Sequence, residues 1–202
     1  VALTEEIPGS VTMLLSEGRT PLEAENAKVA VFYSISNCQK GLTGISFGNL
    51  LIKQVVAELS LAFPQLEKFV TLSPIPGLNK WLASQTDSAE HGHIAASILD
   101  QSAESQDLRA MAARYLLNAK RADGTPVDPV ARFHLGNGAQ IHDMSANGLA
   151  QSSGAMVNYL YDLSLTERNH ENFAHSAIVA ADKPARTLST AAFTANPKEV
   201  TT

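Results

Sequence analysis

Cysteine is nearly absent: Cys38 is the single one in 202 residues, so no disulfide can form within the chain. A reducing, cytoplasmic setting is the natural expectation. Charge is sparse as well, with Asp, Glu, Lys and Arg making up 17% and the balance giving a net charge of -5. A chain this short of Lys and Arg lacks the cationic surface that neutralises nucleic-acid phosphates, so no nucleic-acid partner is expected. A small anionic ligand is not excluded, because a few oriented backbone N–H groups can bind a phosphate without net basic charge. No apolar run approaches the roughly 18 residues that span a bilayer, so no membrane partner is expected either. The opening Val1-Ala2-Leu3-Thr4 lacks the basic and apolar regions of a signal peptide, and no Met stands before it. It reads as the end of a strand cut from a longer domain. The terminal Glu199-Val200-Thr201-Thr202 is not a peroxisomal Ser-Lys-Leu signal.

What is present is ample apolar material, 45% of the residues, enough for one well-packed domain. Ser10 is placed to cap a short helix ending near Gly18. Lys28 to Ser36 predicts a strand, rich in β-branched and aromatic residues. A glycine-rich turn, Asn37 to Gly44, leads into the strongest predicted helix, Ile45 to Phe63. There Phe47, Leu51, Val55 and Leu59 recur every fourth residue, Ile52 and Val56 widen the stripe, and Pro64 ends it. Lys68 to Leu72 predicts a second strand, and residues 78–120 read as helical. Asp128-Pro129 is a helix start, a capping acid followed by proline at the first position. Ala139 to Met144 and Ala155 to Tyr161 are candidate strands, and Thr166 to Ala174 a last helix. The expected architecture is α+β, with helices layered on one sheet over residues 1–180 and a loosely structured tail over 181–202.

Three segments could carry chemistry. The strand–turn–helix unit around Gly41, Gly44 and Gly48 leaves N–H groups free at a helix start, where the helix dipole favours a phosphate or a developing oxyanion. It is neither a Walker A loop nor a G-x-G-x-x-G fingerprint, and a turn with glycines serving geometry alone is the plainer reading. Ser73-Pro74-Ile75-Pro76-Gly77 holds a hydroxyl on a stiff backbone, which suits a reacting group and equally a helix N-cap. His134, in Phe133-His134-Leu135-Gly136-Asn137-Gly138, is either a general acid or base, or a hydrogen-bonded core residue. His91-Gly92-His93 lacks the ligand set of a metal site, and none is expected. Asp143, His142 and Ser145 are neighbours in sequence only, which says little about a triad. Cys38 lies beside the glycine turn and Lys40, where its pKa could be lowered, although an inert buried thiol is the plainer reading.

Taken together, these stretches resemble the malonyl-CoA decarboxylase family. The match runs through Phe32-Tyr33-Ser34-Ile35-Ser36, Gln39-Lys40-Gly41-Leu42-Thr43-Gly44-Ile45 and Leu50 to Val56. It continues through Leu72-Ser73-Pro74-Ile75-Pro76-Gly77, Lys80-Trp81-Leu82, Asp128-Pro129-Val130-Ala131, Phe133 to Ala139 and Asn158-Tyr159-Leu160-Tyr161. The resemblance implies a mixed sheet flanked by helices like that of the GCN5-related N-acetyltransferases, which hold the CoA pyrophosphate at a strand–turn–helix junction. It implies conversion of malonyl-CoA to acetyl-CoA and CO2 with no metal or organic cofactor. It assigns Ser73 and His134 as the catalytic pair and Tyr161 as a tyrosine near them. It assigns the acyl-CoA loop to Thr43, Gly44, Ile45, Ser46, Phe47, Gly48 and Asn49. It further implies a helical N-terminal domain and early strands ahead of Val1, the chief place for contacts of a homo-oligomer. Two departures stand out: the acetyltransferase pyrophosphate pattern fits loosely around Gly41, and Ser46 stands where some members carry glutamate. An acyl-CoA N-acyltransferase and a non-catalytic acyl-CoA binder are the rival readings on the same scaffold.

Overall fold

In a computed structural model, the structure describes residues 1–18, 20, 22–33, 47–146 and 152–193. The strands are β1 (Ala2–Thr4), β2 (Val29–Phe32), β3 (Lys68–Pro74), β4 (Gln140–Ser145) and β5 (Met156–Tyr161). They form a 5-stranded sheet in the order β1-β2-β3-β5-β4. Of these strand pairs only β2 and β3 run parallel; the other neighbours are antiparallel. The helices are α1 (Val11–Leu15), α2 (Phe47–Ala62), α3 (Leu78–Ala83), α4 (Gly92–Leu99), α5 (Ser105–Asn118), α6 (Pro129–Gly136), α7 (Thr166–Ser176) and α8 (Lys183–Ser189). The expected mixed sheet flanked by helices is therefore what the chain forms.

Period-two alternation divides the core. Ala30, Phe32, Phe69, Val157, Tyr159 and Tyr161 face a large cluster shared with α2 to α6 and α8. Their neighbours Val29, Val31, Val70, Leu72, Met156 and Leu160 face the other side, where Ile7 and α1 residues Val11 and Leu14 cover them. Ser10 caps α1 as its sequence predicts, its hydroxyl accepting the Thr12 N–H at 3.0 Å. Among the described side chains of α2, Ile52 and Val56 are buried, with Val55 and Leu59 only partly covered. Over this part of the helix Val55 and Leu59 are thus less deeply buried than the pair expected to widen the stripe. Burying each of these two side chains stabilises by roughly 1.5–3 kcal/mol.

Three expectations are corrected. β3 continues through Ser73 and Pro74 instead of ending at Leu72. There it pairs with β5, Ser73 lying opposite Val157 and Pro74 opposite Met156. The helical stretch 78–120 is broken into α3, α4 and α5. Within the stretch expected as a loose tail, residues 183–189 form α8, with Asp182 at the N-cap position, Pro184 in the first turn and Ala185 buried. Residues 194–202 lie outside the described residues.

Candidate active site

Alternation in two strands assembles the site. Phe69, Thr71 and Ser73 of β3 lie opposite Tyr161, Tyr159 and Val157 of β5. Opposed residues of an antiparallel pair project to the same face, so two hydroxyls and two phenols share the helix-covered side of the sheet. Helix α6 lays His134 across them. Its ring stacks on Tyr159 with centroids 4.4 Å apart and planes 22° from parallel. One end of the ring, Nε2, lies 3.4 Å from Ser73 Oγ, and the other, Nδ1, lies 2.8 Å from the Tyr161 hydroxyl. Phe133 closes over it edge-on at 5.1 Å.

Local chemistry fixes each part. Asp128 caps α6 by accepting the Ala131 N–H at 2.8 Å, with Pro129 in the first turn, and Ala131 and Leu135 bury the inner face. At the far end Gly138 adopts φ +84, and a Cβ there would stand 2.0 Å from the Thr166 carbonyl oxygen. Only glycine fits, and the chain can turn sharply out of α6 into β4. On the serine side, the Ile75 N–H donates to Ser152 Oγ at 2.9 Å. Gly77, not Ser73, is the N-cap of α3, and a Cβ on it would fall 2.0 Å from the Tyr115 hydroxyl. Ser73 is therefore released from capping and points at the histidine instead.

The pocket is dry. Ser73, His134 and Tyr161 are 8%, 3% and 2% exposed. Burial pushes the His134 imidazole down to about 3, outweighing the favourable end of the helix dipole at the last turn of α6. Burial likewise holds the Tyr161 phenol well above its ordinary range, and the Asn137 amide beside it acts the other way. The Tyr159 phenol is raised by burial as well, with the charge of Asp128 adding to the effect. The imidazole is thus neutral at ordinary pH, with one proton to place between a serine and a protonated phenol. The partner of Nδ1 is a phenol and not a carboxylate, which separates this arrangement from a Ser-His-Asp triad.

Residues 1–199 match the family described as malonyl-CoA decarboxylase C-terminal domain. The chain belongs to that family. The mitochondrial malonyl-CoA decarboxylase of Anser anser anser is 37% identical over 84% of this chain and 42% of its own length. The malonyl-CoA decarboxylase structure from Agrobacterium vitis is 41% identical and superposes with a TM-score of 0.86, over 94% of this chain and 52% of that one. The one from Rhodopseudomonas palustris is 43% identical with a TM-score of 0.81, covering 93% and 48%. The chain thus spans about half the length of the malonyl-CoA decarboxylases it matches.

Against this family background, the structure brings Ser73, His134 and Tyr161 into one line. Of the expected acyl-CoA loop, Thr43, Gly44, Ile45 and Ser46 lie outside the described residues, as does Cys38. Phe47, Gly48 and Asn49 form the first turn of α2. Because α2 follows β2 and returns to the start of the parallel β3, that first turn lies toward the sheet end where Ser73 and Pro74 leave. The remaining candidates go elsewhere. His142 pairs with Asp182, Asp143 with Arg109, and His91 with Gln85. Among the described residues no group of three or more His, Cys, Asp or Glu could hold a metal ion, and no helix is long and apolar enough to cross a membrane.

Sequence reasoning passed over Thr71, Tyr159 and Asn137. The first two were within reach, since each sits two residues from an assigned one in a strand and must share its face. Asn137 gave no such signal, because nothing in its spacing shows where a helix-terminal side chain turns.

Proposed function

We propose that this chain carries the chemistry of malonyl-CoA decarboxylation, yielding acetyl-CoA and CO2. The observation that supports it is the buried Ser73–His134–Tyr161 line, within a chain of this family. Decarboxylation breaks the bond between the malonyl methylene carbon and its carboxylate, and the electron pair moves into a thioester enolate. The charge gathers on the thioester oxygen, where backbone N–H donors at Thr43 to Asn49 would bind it. One such donor is typically worth about 10² to 10³ in rate. The enolate carbon then takes a proton from His134 Nε2 while the Tyr161 phenol passes its own to Nδ1, which keeps the ring neutral, and solvent reprotonates the phenolate after acetyl-CoA leaves. Ser73 is the partner of Nε2, orienting the substrate carboxylate or relaying the proton. No metal or organic cofactor is required, the CoA thioester being the substrate.

Release of CO2 from malonyl-CoA by the intact protein tests the reading. Ser73→Ala and His134→Asn should each lower it by about 10² to 10⁴ while CoA still binds, the usual scale for a lost general acid. Near-normal turnover in both variants would refute the assignment. Turnover of acetyl-CoA with an amine would identify an N-acyltransferase instead, and binding without CO2 release a non-catalytic binder. A cytoplasmic setting belongs to the same proposal, although the Anser relative is named as mitochondrial. Cell fractionation decides that point.

A further inference from the structure

Ser152 is fully buried, and its hydroxyl oxygen accepts the Ile75 N–H at 2.9 Å from a distant part of the chain. Pro74 and Pro76 have no N–H, so Ile75 supplies the only backbone donor between Ser73 and Gly77. Ser152 opens a tight turn, which the Ala155 N–H closes by donating to the Ser152 carbonyl at 2.8 Å. Ser153 and Gly154 inside it have φ of 49 and 87, a conformation that a residue with a Cβ rarely adopts. Ser153 Oγ lies 2.8 Å from Asn79 Oδ1, so the turn grips the serine segment a second time beyond its prolines. Directly after the turn comes β5, the strand that carries Tyr159 and Tyr161.

We infer that Ser152 is a positioning residue for the reaction: by accepting the Ile75 N–H it fixes the serine segment against β5 and so holds Ser73 Oγ at His134 Nε2. The inference deepens the decarboxylase reading and takes its catalytic meaning from it.

The contact it holds has little slack. Ser73 Oγ and His134 Nε2 are 3.4 Å apart, near the outer limit of a hydrogen bond, so a small outward shift ends it. The direction of the Ile75 bond is fixed by its atoms, since a backbone N–H can only donate and a hydroxyl oxygen has lone pairs to receive it. Ser73 pairs with Val157, but Pro74, opposite Met156, adds no N–H to the ladder. Past Ser73 the hold on β5 therefore passes to the Ser152 side chain, just ahead of the strand. Without that acceptor the Ile75 N–H is left unpaired inside the protein, and the segment must move to recover a partner. His134 is anchored separately, through the Asp128 cap of α6, so the displacement falls on the Ser73 side.

A double-mutant cycle in the intact protein tests this. Ser152→Ala should lower kcat for CO2 release by about 10 to 10² with little change in KM, the scale of a misplaced reacting group. In a Ser73→Ala background, where no hydroxyl remains to be placed, Ser152→Ala should lower kcat by no more than about twofold. Equal falls in both backgrounds would mean a merely structural role and overturn the inference, as would an unchanged kcat in Ser152→Ala. Ser152→Cys, which keeps nearly the same shape and accepts only weakly, carries the same cycle with a smaller fall if the alanine variant does not fold. Amide hydrogen exchange of isoleucine-labelled protein reads the tie without substrate, the Ile75 signal being identified by its loss in Ile75→Leu. That amide should exchange slowly in the wild type and about tenfold faster in Ser152→Ala; fast exchange in the wild type would overturn the inference. A wild type that releases no CO2 but shows this change in exchange would sink only the decarboxylase reading. CO2 release that Ser152→Ala leaves unaltered would sink only the role of Ser152.

Discussion

Lowering the pH from 7 to 5 should destabilise the protein through His134 alone by about 2 kcal/mol. The buried imidazole is held down to about 3, whereas an unfolded chain protonates its histidines near 6.5. Between those limits the unfolded state binds one more proton than the folded state. Stability is therefore full above the unfolded value and falls as the pH drops below it. At pH 5 the gap is about 1.5 units, and at roughly 1.4 kcal/mol per unit this is about 2 kcal/mol. The assay is urea unfolding of the wild type and His134→Gln at both pH values. Asp128, whose carboxyl is pushed up by burial, contributes with the opposite sign but is common to both proteins and cancels. The wild type should lose about 2 kcal/mol more than the variant, or about 4–8 °C more in Tm for a chain of this size. Equal losses would refute the reasoning, since they would mean that His134 is solvated or already charged in the folded protein.

Gly77→Ala should cost about 1–3 kcal/mol, because the added Cβ would meet the Tyr115 hydroxyl at 2.0 Å in a packed core. Urea unfolding measures it, and combining it with Tyr115→Phe should recover part of the loss by removing the clashing oxygen. Asp128→Ala should cost about 0.5–2 kcal/mol by leaving the Ala131 N–H uncapped, and Asp128→Asn should cost less because it keeps an acceptor. As α6 carries His134, CO2 release should fall further in the alanine variant than in the asparagine one.

Local chemistry in the sequence determined a good deal of this protein. Ser10 and the Asp128-Pro129 pair started helices where their capping chemistry required, and the four-residue spacing from Phe47 to Leu59 marked α2. A run of β-branched and aromatic residues marked β2, and the segments around Ser73 and His134 were legible as site candidates, with the family resemblance joining them. Other features needed the folded chain. The strand's passage through Pro74 depended on its pairing with β5, and α8 depended on a surface for Ala185 to bury against. The meeting of Ser73, His134 and Tyr161 required β3 and β5 to pair in one register, because a slip of a single residue would send the two hydroxyls and two phenols to different faces. The neutral state of His134 is likewise tertiary, since an imidazole's pKa is set by how much water the surrounding helices remove, and sequence spacing carries no record of that.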